Sequence, residues 1–534
     1  MKLNIEPIDS IIIVVYLVGI VALGCWAGLR KRRGSDGKDY FLAGGTLTWP
    51  IIGLALFSTN ISTIHLVSLA EEGYKNGLAF GNFEWMAPFT LILLSLFFAP
   101  FYIRSNVATL PDFLEKRYSR SCRDWLAGMS IISAIFLHIS FSLYAGAVVL
   151  QGLFGIDILV SIITVALLTG LYTIIGGLLA VVLTESIQTI ILLIGAICIT
   201  AIAYTKIGGW AGLTDSVEPV KLTLLRPPGD ESELTWYAVF LGYPIIGTWY
   251  WCCDQTIVQR VLGAKDENHA RVGPLFAGFI KILPVFIFVL PGLLCYGLIK
   301  QGKLPDELTK SADTYSFMIS HLLPVGLRGL VAAALLAALM GTVSGALNSV
   351  ATLFSYDLFK RWKPDTPDRT LVYIGRTVTF VGMVLAILWS PFLGNFKSIF
   401  QGINELICYV APPITVVFVV GVFWRQATGK GALVTLITGS ILGLVVFLLS
   451  WFKQYTGWPI HWMMSAFYLA VICTIVLIAV SLWKPTPLST EQQALVWKTP
   501  LEALRGQAWK GIGNYKFLSL LLFVSMIVLY VIFR

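Results

Sequence analysis

The stretch FSTNISTIHLVSLAEEGYKNGLAFGNFEWM, Phe57 to Met86, combines an apolar helical pattern with a high density of polar side chains. Six polar residues fall within the eight positions from Ser58 to His65. Inside hydrocarbon such groups must be satisfied by protein, water or a ligand. Glu84 follows on the next apolar segment. The stretch therefore predicts one half of a substrate pocket within a membrane-spanning helical bundle.

The composition of the whole chain is typical of a membrane protein. Its 534 residues are 57% hydrophobic and 13% charged, with a mean hydropathy of +0.80. The net charge of +9 is explained by Lys and Arg in cytoplasmic loops, so the expected partner is the lipid bilayer and not a nucleic acid. The eight cysteines show neither metal-ligand spacing nor a disulfide framework.

About 14 segments are long enough to span a bilayer, because a spanning helix takes about 20 mostly apolar residues. We therefore predict an all-α polytopic membrane protein with about 14 transmembrane helices. The first apolar segment ends in a basic cluster without a cleavage pattern, and we predict a retained helix there. The predicted spans are 9–29, 47–71, 82–105, 124–152, 156–176, 179–205, 236–260, 272–300, 324–356, 370–391, 395–423, 431–452, 461–484 and 515–533.

The charges of the connecting loops predict the orientation of the chain. Arginines cluster in every second loop, and the positive-inside rule places those loops in the cytoplasm. Both termini are then predicted outside, in a multi-pass protein of the plasma membrane, which is the inner membrane in a bacterial cell. The polar segment 485–514 is predicted to be a cytoplasmic linker, either with an amphipathic helix on the membrane surface or without one.

Two predicted spans look interrupted. The first contains the opening stretch, and the second is GYPIIGTWYWCCDQTIVQR, Gly242 to Arg260, which mixes Gly, Pro, aromatic residues and Asp254. They are the second and the seventh span, so they occupy corresponding positions in two five-helix halves. This pairing is typical of inverted-repeat transporters. Enzyme activity is not expected, since no loop is long enough for a soluble catalytic domain and no nucleophile–base pair or metal-ligand spacing appears.

Charged residues within the spans indicate function. Lys281, in FAGFIKILPVF, lies about ten residues into its helix, near the middle of the bilayer. It is either a hydrogen-bond donor to substrate or a charge partner for a carboxylate, unless it belongs to a purely structural ion pair. Glu84 stands between Phe83 and Trp85. A carboxylate among aromatic rings can hold a polyol, but it can also mark an interfacial aromatic belt.

Five further residues allow two interpretations each. Tyr250 and Trp251 form either a stacking platform with a gate or part of an aromatic core. Histidine can act as a pH switch, but His65 is crowded by polar residues and is better explained as a hydrogen-bond donor. His138, in FLHISFSLY, is either a similar donor or a packed core histidine. Glu185 is either a cation or proton site or a charge favoured by the helix dipole.

Several long motifs resemble the sodium/solute symporter family, and most closely its sodium/glucose cotransporters. The resemblance runs from about Asp39 to Gly431 and is carried by DYFLAGG, NISTIHLVSLA, FEWM, WYWCCDQTIVQRVLGAK, GFIKILPVFIFVLPG and YVAPPI. It implies a LeuT-type inverted-repeat core of 5+5 helices. The implied parts are an N-terminal extra helix with a cytoplasmic loop (1–46), a first five-helix repeat (47–205), an extracellular loop (206–235), a second, inverted repeat (236–423) and three C-terminal helices (424–534).

The resemblance also implies a sugar site. The implied substrate-binding residues are Asn60, His65, Glu84, His138, Tyr250, Trp251, Lys281 and Asn404. The implied gates are Leu69, Phe83, Tyr250 and Phe400. Asn404 departs from the family, which has Gln in the motif read here as INELICYVAPP. The shorter amide keeps the chemistry but reaches less far, so sugar preference or affinity is expected to differ.

The implied sodium site departs further from the family pattern. Its positions are Ser58, Ile61, Ala338, Gly341 and Thr342. The family has two serines where this chain has Gly341 and Thr342, so one hydroxyl ligand is absent. Ser58, where other members have Ala, is a candidate replacement. Glu185 stands where the family has Asp, and a Glu is the better proton carrier of the two.

From these features we expect a secondary active transporter that imports a hexose such as glucose or galactose by alternating access, coupled to sodium. A proton-coupled or uncoupled sugar carrier is the nearest competing hypothesis, motivated by Gly341 and Glu185. A symporter for a different solute, such as inositol or sialic acid, and a sugar sensor that transports nothing also stay open.

Overall fold

The computed structural model describes residues 6–30, 37–230, 234–306, 308, 310–395 and 399–534. The described part is nearly all helical, and its β-structure consists of two isolated bridges, Leu47 with Ala264 and Arg226 with Thr235. Within this part, eleven helices are long and apolar enough to span a membrane. The prediction of an all-α polytopic membrane protein is therefore confirmed.

The region up to residue 214 contains the first interrupted span and the longest helix of the protein. Its helices are α1 (Pro7–Arg30), α2 (Gly37–Leu42), α3 (Trp49–Asn60), α4 (Thr63–Asn76), α5 (Asn82–Trp85), α6 (Ala87–Leu93), α7 (Ala99–Arg104), α8 (Leu110–Arg117), α9 (Arg120–Ser133), α10 (Ser140–Phe154), α11 (Ile158–Ile207) and α12 (Gly209–Thr214). Short π-helical segments join α6 to α7 and α9 to α10.

The rest of the chain contains the second interrupted span and the C-terminal helices. Its helices are α13 (Trp236–Thr248), α14 (Gln255–Leu262), α15 (Glu267–Ile280), α16 (Leu290–Lys300), α17 (Thr314–Leu322), α18 (Leu327–Leu353), α19 (Lys360–Trp362), α20 (Asp368–Trp389), α21 (Ile399–Phe423), α22 (Gly429–Trp451), α23 (Lys453–Thr456), α24 (Trp462–Trp483), α25 (Thr490–Gln493) and α26 (Tyr515–Ile532).

The fourteen predicted spans and the eleven long helices differ for two physical reasons. Helix α11 has 50 residues, which is about 75 Å and more than twice the hydrocarbon thickness. At Gly177 its backbone turns, with φ 60° and ψ −156°, so α11 contains the two predicted spans 156–176 and 179–205. The predicted spans 47–71 and 236–260 are interrupted, so neither forms one continuous spanning helix.

The first interruption separates α3 from α4. Ile61 and Ser62 have extended backbones, with ψ of 103° and 172°. The side chains of Ser62 and His65 form a capping box that starts α4. The last carbonyls of α3 are left without helical partners, and a helix C-terminus carries a partial negative charge. The interruption predicted from the polar stretch is thus confirmed.

The second interruption separates α13 from α14. A π-helical segment, Trp249–Cys253, ends at Asp254, whose backbone is extended with φ −86° and ψ 123°. The Asp254 carboxylate accepts a hydrogen bond from the Thr256 amide at 2.7 Å and so caps α14. This interruption, too, is confirmed, and it gives the transporter-like pair of broken helices that the sequence predicts.

Close helix packing holds these elements together. Helix α18 has nearly all of its side chains buried and packs along α11 and α3. Its many Ala, Gly and Ser residues let the neighbouring backbones approach, as is usual between membrane helices. Helix α3 also packs on α14, which brings the two interrupted spans together.

Of the two alternatives predicted for the segment 485–514, the structure fits the linker without an amphipathic helix. The segment contains only short helical turns, and Leu495, Val496 and Trp497 are buried against the bundle. The Trp497 indole donates to the carbonyl of Phe97 at 3.1 Å, and its amide donates to the carbonyl of Val422 at 2.9 Å. These three apolar residues therefore pack on the protein itself, whereas Leu501 and Ile512 of the same segment are exposed.

Candidate functional site

A cavity of about 110 Å³ lies between the two interrupted spans. Its described lining includes all eight residues that the resemblance assigns to substrate, namely Asn60, His65, Glu84, His138, Tyr250, Trp251, Lys281 and Asn404. The predicted gate residues Leu69 and Phe83 line it as well. The side chain of the fourth gate residue, Phe400, lies outside the described residues. Residues far apart in the sequence are thus brought into one site.

The polar wall of the cavity is built around Lys281. This side chain is fully buried and follows α15 directly, where the negative end of the helix dipole favours a cation. Its ammonium group donates to the Glu84 carboxylate and, at 2.5 Å, to Oδ1 of Asn60. Glu84 is buried too. An isolated buried charge would be costly, so each group needs the other.

The tautomer of His65 follows from its hydrogen bonds. The Ser62 backbone amide donates to Nδ1 of His65 at 3.2 Å, and the Ser62 hydroxyl lies 3.0 Å from the same nitrogen. Since Nδ1 accepts a hydrogen bond, the neutral ring carries its proton on Nε2. His65 lines the cavity and therefore supplies a donor to it.

A second part of the cavity lining is aromatic. The rings of Tyr250 and Trp251 meet edge to face, with their centroids 5.2 Å apart. Phe83 stacks on Trp462 at 6.1 Å, and its carbonyl accepts a hydrogen bond from the Tyr243 hydroxyl at 2.9 Å. Ring faces of this kind cover the C–H surfaces of a ligand whose hydroxyls bond elsewhere.

His138 connects two elements of the site. It lies in the π-helical segment Ala134–Ile139, with Nε2 3.3 Å from Oδ2 of Asp254. Its ring stacks on Trp249 with a centroid separation of 6.4 Å. The residue therefore lines the cavity and also contacts the second interruption, so the two sequence interpretations of His138 are not exclusive.

Several lining residues were missed by the sequence reasoning, among them Ser142 and Tyr243. Helical spacing is the signal that could have found them. Ser142 follows His138 by four residues, and Tyr243 precedes Tyr250 by seven, so each falls on the same helix face as a predicted residue. Both add a hydroxyl to the lining.

The five residues implied for sodium are all buried, and they lie where α3 ends against α18. The Thr342 hydroxyl donates to the carbonyls of Thr59, at 3.2 Å, and Ala338, at 3.3 Å. The Ser58 carbonyl would be 3.4 Å from a β-carbon added to Gly341. Thr342 also lines the central cavity. The candidate cation site and the cavity therefore share a wall.

Glu185 lies in a separate buried network. Its carboxylate accepts hydrogen bonds from the Thr59 hydroxyl at 2.8 Å and from the Arg260 guanidinium at 2.6 and 3.3 Å. Glu185 and Arg260 are both fully buried. The ion pair joins α11 to α14, and Thr59 adds α3 to the network. The sequence reasoning did not single out Arg260.

Interrupted helices packed around a buried polar cavity define a secondary transporter. The chain belongs to the sodium:solute symporter family, whose model matches residues 40–439. It is 33% identical to sodium/glucose cotransporter 4 of Danio rerio, over 90% of this chain and 79% of the relative. It is 35% identical to sodium/myo-inositol cotransporter 2 of Sus scrofa, over 83% of this chain and 70% of the relative.

Solved structures show the same fold. The chain is similar to a Na+-coupled sialic acid symporter in its substrate-bound outward-open state, with a TM-score of 0.79, 22% identity and coverage of 90% of this chain and 100% of that one. It is also similar to Mhp1, a nucleobase-cation-symport-1 family transporter, with a TM-score of 0.50, 13% identity and coverage of 85% and 97%. The predicted LeuT-type fold is confirmed.

Family membership also decides the class of activity. The protein is a sodium-coupled solute symporter and not an enzyme, and sodium is its coupling ion. The sodium prediction is thereby confirmed in preference to proton coupling, despite the glycine at position 341.

Proposed function

We propose that this symporter imports a neutral hexose, such as glucose or galactose, together with sodium by alternating access. The proposal rests on one observation, which is that the charged groups in the polar wall of the cavity neutralise each other. Among its described lining residues, Lys281 and Glu84 are the only Lys, Arg, Asp or Glu side chains, and they pair with each other. The wall offers hydrogen-bond donors and acceptors without a net charge, which suits a ligand with many hydroxyl groups.

Each polar residue has a proposed role. Asn60, His65, Glu84, Lys281 and Asn404 hydrogen-bond the sugar hydroxyls. Tyr250 stacks beneath the ring as the inner gate, with Trp251 alongside, and Leu69 and Phe83 close the outer side. His138 holds the second interruption beside the sugar.

The same charge argument disfavours ionic substrates. A sialic acid carries a carboxylate, and an amino acid carries both signs. Either would need a free counter-charge in the cavity, because an unpaired buried ion is costly. Such a ligand would have to compete for Lys281 or Glu84, which already neutralise one another.

A second candidate substrate is myo-inositol. Relatives named as sodium/myo-inositol cotransporters match this chain as well as those named for glucose. Inositol is also a neutral six-membered ring with hydroxyls, so the polar wall suits it too. Asn404, which is shorter than the family's Gln, is the residue at which discrimination between the two rings is expected.

For sodium, we propose binding by Ser58, Ile61, Ala338, Gly341 and Thr342, at the negative end of α3. Since Thr342 contacts both this end and the cavity, ion binding and sugar binding would be linked. The protein would lie in the plasma membrane with both termini outside.

The substrate proposal is tested by competition in proteoliposomes. Sodium-driven uptake of labelled glucose is measured with an excess of unlabelled glucose, galactose, myo-inositol, sialic acid or alanine. We expect strong inhibition by glucose and galactose and none by sialic acid or alanine. Sodium-driven uptake of labelled myo-inositol without any uptake of labelled glucose would replace the hexose with the second candidate, and inhibition by an ionic solute would overturn the proposal of a neutral substrate.

Replacing Thr342 by valine is expected to raise the sodium concentration for half-maximal uptake at least tenfold. The change removes a hydroxyl oxygen from the proposed site, and a hydrogen-bonding group that faces a charge contributes about 1.5–3 kcal/mol. The measurement is uptake as a function of sodium concentration. Thr379→Val on α20 is the matched control, because its buried hydroxyl donates to the Gly375 carbonyl of its own helix. Equal sodium affinities in the two variants would exclude Thr342 as a ligand.

A further inference from the structure

Gln188 has a buried side-chain amide that does not line the central cavity. It lies on α11, three residues after Glu185, and is fully buried. Neither its oxygen nor its nitrogen makes a hydrogen bond of standard geometry with the residues that the structure describes, although the hydroxyls of Tyr16 and Tyr172 lie nearby. Buried polar groups are nearly always hydrogen-bonded, so an amide with both ends unsatisfied indicates a ligand.

The amide oxygen of Gln188 lies next to Gly341, which has no side chain. A β-carbon added to Gly341 would lie 3.2 Å from Oε1 of Gln188 and 2.7 Å from the hydroxyl oxygen of Ser58. The Ser58 carbonyl would lie 3.4 Å from the same β-carbon. Three oxygens from α3 and α11 thus converge on one point above α18. Because any side chain at position 341 would displace them, glycine is needed here for space.

The Ser58 carbonyl belongs to the open end of α3. In a continuous helix the Ser62 amide would donate to it, but that amide donates to Nδ1 of His65. The capping box that starts α4 therefore frees a carbonyl at the negative end of α3. One residue along α18 from Gly341, the Thr342 hydroxyl points at the same helix end, 3.2 Å from the Thr59 carbonyl.

We infer that the Gln188 amide oxygen and the Ser58 hydroxyl are sodium ligands that replace the hydroxyl absent at Gly341. The inference rests on the proposed sodium site and adds a ligand from α11 to it. Every oxygen in the set is uncharged, and the carboxylate of Glu185, three residues before Gln188, is already paired with Arg260. Hard cations take oxygen ligands, and a site without a carboxylate suits a monovalent ion better than a divalent one.

This ligand set also gives sodium a structural effect. Gln188 lies on α11, Ser58 on α3 and Thr342 on α18, so one ion would hold three helices at the first interruption. Thr342 and the helix that continues from α3 contribute to the sugar cavity. Binding sodium would fix the cavity wall before sugar arrives, which is the coupling that symport requires.

The test measures sodium binding without sugar. Thermal unfolding of the purified protein in detergent is followed in sodium chloride and in choline chloride at equal ionic strength. We expect sodium to raise the melting temperature of the wild type. In Gln188→Leu the half-maximal sodium concentration should rise at least tenfold, whereas Gln188→Glu, which keeps the oxygen and adds charge, should lower it. Ser349→Ala on α18 is the control, since the Ser349 hydroxyl donates to the Gly345 carbonyl of its own helix, outside the proposed site.

A structural role for Gln188 predicts a different pattern. The hydroxyls of Tyr16 and Tyr172 approach the same amide. If Gln188 only held them, Leu and Glu at this position would lower stability alike in both salts and leave the half-maximal sodium concentration unchanged, which would overturn the inference. Because no sugar is present, this outcome differs from failure of the hexose proposal, which appears only in uptake.

A swap of two residues tests the Ser58 hydroxyl separately. Gly341→Ser alone should weaken sodium binding, because its side chain meets the Ser58 hydroxyl. Combining it with Ser58→Ala moves one hydroxyl from α3 to α18 and is expected to restore the sodium affinity to within about threefold of the wild type. Additive losses in the double variant would contradict the exchange of one ligand for the other.

Discussion

Replacing Lys281 by methionine is expected to lower sugar uptake at least 100-fold and to destabilise the protein. The change leaves the Glu84 carboxylate buried without its partner. Removing one member of a buried ion pair costs about 3–5 kcal/mol. It also removes a donor that the cavity offers to sugar. Uptake into proteoliposomes and the melting temperature in detergent measure the two effects.

A double variant separates binding from folding. In Glu84→Gln/Lys281→Met no charge remains unpaired, so the melting temperature should recover most of its loss while uptake stays low. Lys300→Met is the matched control, because Lys300 forms an exposed pair with Glu218 at 3.5 Å, and such pairs contribute little. Normal uptake by the double variant would show that the buried pair is structural and that sugar binds elsewhere.

Replacing Arg260 by methionine is expected to have the second largest effect, a loss of folded protein in the membrane. Among the described residues, the fully buried Glu185 carboxylate then keeps the Thr59 hydroxyl as its hydrogen-bond donor. The cost is again about 3–5 kcal/mol, a large part of the stability of most domains. The measurement is the yield of monodisperse protein after extraction, together with its melting temperature. Arg104→Met, at the partly exposed Arg104–Glu267 pair, should change neither substantially.

The matching double variant defines what Glu185 does. Because its carboxylate is held by Arg260, Glu185→Gln/Arg260→Met should fold and keep its sodium dependence. A folded double variant whose uptake no longer responds to sodium would instead place Glu185 on the cation path, as one of the two sequence interpretations has it.

The interruptions could be predicted from the sequence because polar side chains in a membrane span must have partners. Ser58 to His65 and Asp254 break the apolar pattern at positions five spans apart, and the structure breaks the helices there. The count of about 14 spans follows from length and hydropathy in the same way. At Gly177 the hydropathy pattern predicts two separate spans, and the structure shows the turn of the backbone that joins them within α11.

The partners of the buried charges could not be predicted from one sequence. Lys281 pairs with a residue 197 positions away, and Glu185 with one 75 positions away. Hydropathy shows that such charges need partners, but only the packing of α15 and α14 against the other helices shows which. Lys281 therefore carried two open interpretations, and Arg260 was not singled out.

Other features depend on backbone positions that carry no sequence signal. The oxygens of Ser58 on α3 and of Gln188 on α11 lie next to Gly341 of α18. The position of Gln188 in the sequence does not predict that its amide oxygen points toward this glycine. Similarly, Trp497 has the helical spacing of a membrane-surface segment, yet it packs on Phe101 with a centroid separation of 4.4 Å. Amphipathic spacing indicates an apolar contact without saying whether lipid or protein provides it.

The central claim is that the cavity between the two interruptions carries a neutral hexose driven by sodium. The most direct measurement is accumulation of labelled glucose in proteoliposomes with an inward sodium gradient, compared with choline and with the double variant Glu84→Gln/Lys281→Met. We predict accumulation above the external concentration for the wild type in sodium, and none in choline or in the variant. Equal accumulation in choline, or accumulation of myo-inositol without glucose, would contradict this claim.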